Sequence, residues 1–118
     1  MKKFLLIQFR NDISILPEQR CIFKAIKKHK NDFKIINAFD KNIDFSIPEK
    51  TLNGVNKVLL GGSGEFCFSH NDSTEKNREF WQMIEKITPL IKYLLKKDIP
   101  TLGICFGHQL LAYNLGVK

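Results

Sequence analysis

The sequence has no apolar run approaching the length of a membrane span, so a transmembrane role is not expected. Its opening, "MKKFLLIQFR", imitates a secretion signal. The apolar core from Phe4 to Ile7 is cut short by Gln8 and Arg10, however, and no small-residue cleavage site follows. Cysteine is scarce and odd in number. Cys21, Cys67 and Cys105 form no Cys-x-x-Cys pattern and no His-x-x-x-His pair accompanies them, so neither a disulfide framework nor a metal site is read here. Reduced thiols of a cytoplasmic protein are expected instead. Seven glycines and four prolines are too few for a fibrous or disordered chain. Arginine is scarce as well, with three against sixteen lysines behind a net charge of +7. Bidentate phosphate reading relies on arginine, and no aromatic residues interleave the basic run Lys24 to Lys30. That run reads as the solvated face of a helix, and a nucleic-acid partner is not expected.

What is present is the pattern of one α/β domain, long enough to bury a core. Phe4 to Phe9 is a continuous apolar run bounded by charge, the pattern of a strand buried on both faces. Phe33 to Phe39, Val58 to Gly62 and Thr101 to Cys105 are further strand candidates. Between them, Pro17 to Lys30 carries apolar residues at Ile22, Phe23 and Ile26, with Pro17 suited to a first helical turn. From Glu75 to Lys97, Phe80, Ile84, Ile87, Ile91, Leu94 and Leu95 keep helical spacing; Pro89 makes this either two helices, with Thr88 capping the second, or one kinked helix. A last helix is expected just after Cys105, with Leu110, Leu111 and Leu115 on its inner face, and Cys21 is expected in the core. Asp40 to Asn53 is polar and reads as a short hairpin or a loop. This order of elements predicts a parallel sheet with helices on both faces.

Two segments carry chemistry. In "TLGICFGHQLLAYNLG", Cys105 lies at a strand-to-helix turn with Gly103 and Gly107 two residues to either side. Such a turn lifts a thiol clear of the sheet at the positive end of the next helix, which favours the reactive thiolate. The logic is that of the nucleophile elbow of serine hydrolases, with cysteine as the middle residue. The competing reading is a cysteine that only packs. In "VLLGGSGEF", glycines at the end of a strand expose backbone N–H groups that can hold an anion. A phosphate cradle, an oxyanion hole and a plain tight turn all use such a segment; the spacing of a nucleotide loop or dinucleotide fingerprint is absent.

"GICFGHQLLA", about forty residues after "LLGGSGE", resembles the class I (triad-type) glutamine amidotransferase family, nearest to domains similar to the glutaminase part of GMP synthase. "LLIQFRND" is similar to the opening strand and loop of that group. The resemblance implies a flavodoxin-like three-layer sandwich with a parallel sheet. It also implies glutamine as substrate, ammonia released through a cysteine thioester, no cofactor, and an ammonia-accepting synthase partner. It places the nucleophile at Cys105, backbone oxyanion donors at Gly62 and Phe106, and substrate contacts at Gly61, Gly107 and Gln109. In this resemblance His108 belongs to the elbow and is not the base.

Ser63 replaces the proline often found after the paired glycines. Glu65 to Asn77 reads as a surface loop or a lid, and His70 within it as a surface residue. The family's downstream His-x-Glu pair is matched by nothing after Leu111, so residues 1–118 are expected to be the N-terminal portion of such a domain, incomplete on the C-terminal side and impaired in catalysis. Two alternatives stand beside this: a non-catalytic interaction module that forms a homodimer, and another cysteine hydrolase acting on γ-glutamyl compounds.

Overall fold

The computed structural model describes residues 3–9, 17, 20–22, 24, 32–62, 74–104 and 106–116, with only the backbone of 74–77. Four strands form one sheet: β1 (Phe4–Gln8), β2 (Phe33–Asn37), β3 (Lys57–Leu60) and β4 (Thr101–Gly103). Their order is β2-β1-β3-β4 and every pairing is parallel. β1 is central, with Phe4 opposite both Phe33 and Lys57, and its last four residues are buried. A continuous apolar run is what a strand covered on both faces requires. Among the described residues, helices with defined bounds are α1 (Pro48–Thr51), α2 (Thr74–Lys96) and α3 (Phe106–Asn114), and residues 17, 20–22 and 24 are helical as well. This is the parallel α/β sheet expected from the order of elements, with the flavodoxin-like strand order that the resemblance implies.

Alternation along the strands divides the sheet into two faces. Leu5, Ile7, Val58 and Leu60 lie on one face and join a single apolar core with Phe80, Met83, Ile84, Ile87, Leu90, Ile91 and Leu94 of α2. Phe106 and Leu110 of α3 belong to the same core. Each buried aliphatic there contributes about 1.5–3 kcal/mol relative to exposure. The opposite face carries the row Ile35, Leu6, Leu59 and Leu102, successive partners in register. Leu6 is fully buried, whereas Leu102, on the outer strand, is 62% exposed.

α2 runs unbroken through Pro89. Thr88 caps no second helix; its hydroxyl instead donates to the carbonyl of Ile84, one turn back, at 2.6 Å. The helix stops where Asp98 takes a left-handed backbone (φ 55°) and Ile99 N–H reaches back to Leu94 O at 3.1 Å. Pro100 follows, and its carbonyl accepts from Val58 N–H at 2.9 Å, which starts β4 in register beside β3.

Two further expectations need correction, and the choice left open for residues 40–53 resolves against the hairpin. Cys21 is exposed, not core. Pro17, Arg20, Cys21 and Lys24 are helical, fall three or four residues apart and are all exposed, so they share the solvent face. Ile22 turns inward only because a helix rotates about 100° per residue. Leu115 is 65% exposed and lies past the end of α3, where Gly116 (φ 85°) takes the chain out of the helix. Residues 40–53 form no hairpin. Backbone N–H groups of Phe39, Asn42 and Ser46 donate to the side chains of Asn37, Asp40 and Asp44, each at 2.9 Å, and these local turns displace strand pairing. The Ser46 backbone bond, with help from the Ser46 hydroxyl, holds the Asp44 carboxyl below its usual range. Lys86 of α2 ties this segment down by donating to the carbonyls of Ala38 and Asp40, and its ammonium sits 5.5 Å from the ring centroid of buried Phe45.

Among the described residues, no helix is long and apolar enough to cross a membrane.

Candidate active site

The carboxyl ends of β3 and β4 bring the two glycine-bearing segments together. Gly61 continues the sheet past β3, its N–H donating to Ile7 O at 2.9 Å, and Gly62 beside it is buried. That bond occupies the Gly61 amide. On the neighbouring strand, Ile104 N–H donates to Leu60 O at 2.9 Å, so the exit of β4 is tied to the exit of β3. α3 begins two residues later at Phe106, with Gly107 N–H bonded to Ile104 O at 2.9 Å.

Both elbow glycines are demanded by proximity. A Cβ on Gly107 would lie 2.4 Å from Leu60 O and 2.7 Å from Leu60 Cβ. One on Gly103 would lie 2.6 Å from both Gly107 C and His108 N. Neither glycine has a left-handed backbone, so the need is for space and not for permissive dihedrals. Two bare backbones let the first turn of α3 rest directly on the ends of β3 and β4. The N-terminus of the helix is thereby placed beside the glycine turn, the arrangement that stabilises an anion.

Phe106 is 2% exposed, and its ring packs against Phe9 at 5.1 Å and Phe80 at 5.8 Å between centroids. His108 and Gln109 are exposed on the first turn of α3. Cys105 lies outside the described residues, as do Ser63, His70 and Cys67; its neighbours Ile104 and Phe106 are described. The structure thus assembles Gly61, Gly62, Phe106, Gly107 and Gln109 at one sheet edge. Phe9 and Phe80 escaped the sequence reading of the site. Helical spacing marks Phe80 as core, but nothing in the pattern says which ring it meets.

A separate cleft of about 560 Å³ opens where the turn after β2 meets α2. Phe39, Lys41, Arg78, Met83 and Lys86 line it, and none of the five site residues does.

The model of the family described as Glutamine amidotransferase class-I matches residues 41–118, a span that takes in both glycine-bearing segments. Carbamoyl phosphate synthase small chains are similar too. That of Wigglesworthia glossinidia brevipalpis is 31% identical over 113 residues, covering 88% of this chain and 29% of its own length. That of Rhizobium meliloti (strain 1021) is 56% identical over 34 residues, covering 29% of this chain and 8% of its own. The chain therefore spans less than a third of the curated relatives it matches. No solved structure gives a significant match. With a parallel sheet of the expected order, an elbow seated on the glycine turn, and a family match over most of its length, the chain belongs to the class I glutamine amidotransferase family.

Proposed function

We propose that this chain carries the nucleophile half of a glutamine amidotransferase site, with Cys105 as nucleophile. The observation that supports this most is the seating of Gly107 on Leu60, which sets the start of α3 against the glycine exit of β3. The Cys105 thiolate attacks the side-chain carboxamide carbon of glutamine. The developing oxyanion accepts hydrogen bonds from the backbone N–H groups of Gly62 and Phe106. The proton given up by the thiol goes to the amide nitrogen, and collapse then breaks the C–N bond, expels ammonia and leaves a γ-glutamyl thioester, which water hydrolyses to glutamate and the free thiol. Gln109 and the backbone at Gly61 and Gly107 contact the substrate. No cofactor enters these steps.

The ammonia goes to a synthase partner. The relatives named as carbamoyl phosphate synthase small chains favour a synthase of that kind over the GMP synthase-like group. A cytoplasmic setting is supported by the chain's three cysteines, which form no paired pattern.

The histidines of the sequence are His29, His70 and His108, and no His-x-Glu pair follows the elbow. His108 sits on the exposed side of the first turn of α3, three residues after the nucleophile. Residues 1–118 alone are therefore expected to release ammonia from glutamine on the order of a thousandfold more slowly than an intact triad. A coupled ammonia assay measures this. Turnover at the level of an intact amidotransferase would contradict the incomplete triad.

A non-catalytic interaction module is the second reading, favoured by one observation. Among the described residues β4 is an outer strand, and Leu102 within it and Ile104 just past it are 62% and 39% exposed. Apolar edges of this kind pair with other chains. Sedimentation at micromolar concentration should then give a homodimer, and a stable monomer would count against this reading.

A further inference from the structure

The rings around Phe106 do more than fill the core. Phe9, at the exit of β1, and Phe80, in α2, are both fully buried and meet the Phe106 ring at 60° and 72°. Phe80 is itself backed by Trp81, edge-on at 5.1 Å and 82°, and Trp81 stands 6.0 Å from Tyr113 of α3. The exit of β1 and α2 therefore each bring a ring to the first residue of α3. Beyond Gly107 the next two side chains, His108 and Gln109, are exposed, so on this turn the buried Phe106 ring makes the side-chain contact with the core. A ring wedged between two buried rings locks χ1 and, through it, the rotation of the backbone at residue 106.

We propose that Phe80 is a positioning residue that aims the Phe106 N–H at the developing oxyanion; this rests on the amidotransferase reading of the elbow. A smaller or flexible side chain at position 80 lets the first turn of α3 rotate while the core around it stays apolar.

The test compares two electrophiles on the same chain at pH 9, where a thiol ionises without a general base. With the chloromethyl ketone analogue of glutamine, the thiolate forms a C–S bond to the methylene carbon, the C–Cl bond breaks and chloride leaves. Its ketone oxygen needs the oxyanion donors. Iodoacetamide alkylates an accessible thiolate without them, and exposed Cys21 serves as the internal reference. Peptide mass spectrometry gives the rate at each cysteine. Phe80→Leu should slow ketone alkylation of Cys105 by about tenfold while iodoacetamide alkylation of Cys105 changes less than about twofold. Phe80→Met, an unbranched and flexible side chain without a ring, should give the same split should Phe80→Leu fail to fold. An equal loss with both electrophiles assigns Phe80 a merely structural role and overturns the proposal, as does an unchanged ketone rate. No preference of the ketone for Cys105 over Cys21 in the unsubstituted chain would overturn the reading of the elbow itself, and this inference with it.

Discussion

Gly107→Ala is expected to cost the domain about 3 kcal/mol, the upper end of what overpacking a tight core costs. The added methyl would sit 2.4 Å from Leu60 O, a backbone atom at the end of an inner strand. That carbonyl already accepts from Ile104 N–H, so retreat would break the bond that ties β4 to β3 at the site. The first turn of α3 must lift instead, carrying the Phe106 amide away from Gly62. Thermal unfolding followed by circular dichroism should show a drop of about 10 °C. Gly116→Ala is the useful contrast. A Cβ there meets nothing within 4 Å, and the only cost is the left-handed backbone at φ 85°, about 1 kcal/mol. Equal melting of the two variants would mean that close approach is not why the elbow holds glycine.

Cys105→Ser should have the largest effect on chemistry. A hydroxyl without a base is far less nucleophilic than a thiolate, so alkylation by the glutamine chloromethyl ketone at position 105 should fall by more than about a hundredfold. Fold stability should be little changed, and the exposed Cys21 should still react with iodoacetamide at its former rate. Peptide mapping after timed labelling checks both at once. Persistent labelling by the ketone elsewhere in the Cys105→Ser variant, at an undiminished total rate, would remove Cys105 from the role of nucleophile.

Much of the architecture is written in local patterns. The run Phe4 to Phe9 announces a doubly covered strand because no polar residue interrupts it until Gln8, and β1 is the central strand. The helical period from Phe80 to Leu94 announces the face of α2 that enters the core. Adjacency misleads where rotation decides: Cys21 neighbours Ile22 in sequence, but it shares the solvent face with Arg20 and Lys24. Pro89 reads as a break or a kink, and one helix packed along its length by Ile84, Ile87, Leu90 and Ile91 continues through it, with the Thr88 hydroxyl turned back to Ile84. At the candidate site, the spacing of Gly103 and Gly107 announces a tight turn. The reason for Gly107 was not legible, because it lies in Leu60, a residue more than forty positions away. The ring packing on Phe106 is tertiary for the same reason.

The central claim is that the thiol at position 105 meets a glutamine side chain in a site built by the two glycine segments. Protection by substrate tests it most directly. The chain is treated with the glutamine chloromethyl ketone at pH 9 in the presence of L-glutamine, D-glutamine or L-glutamate, and labelling of Cys105, Cys67 and Cys21 is followed by mass spectrometry. The account predicts labelling first at Cys105, slowed by L-glutamine and little affected by the other two compounds. Labelling of all three cysteines at rates that L-glutamine leaves unchanged would contradict it.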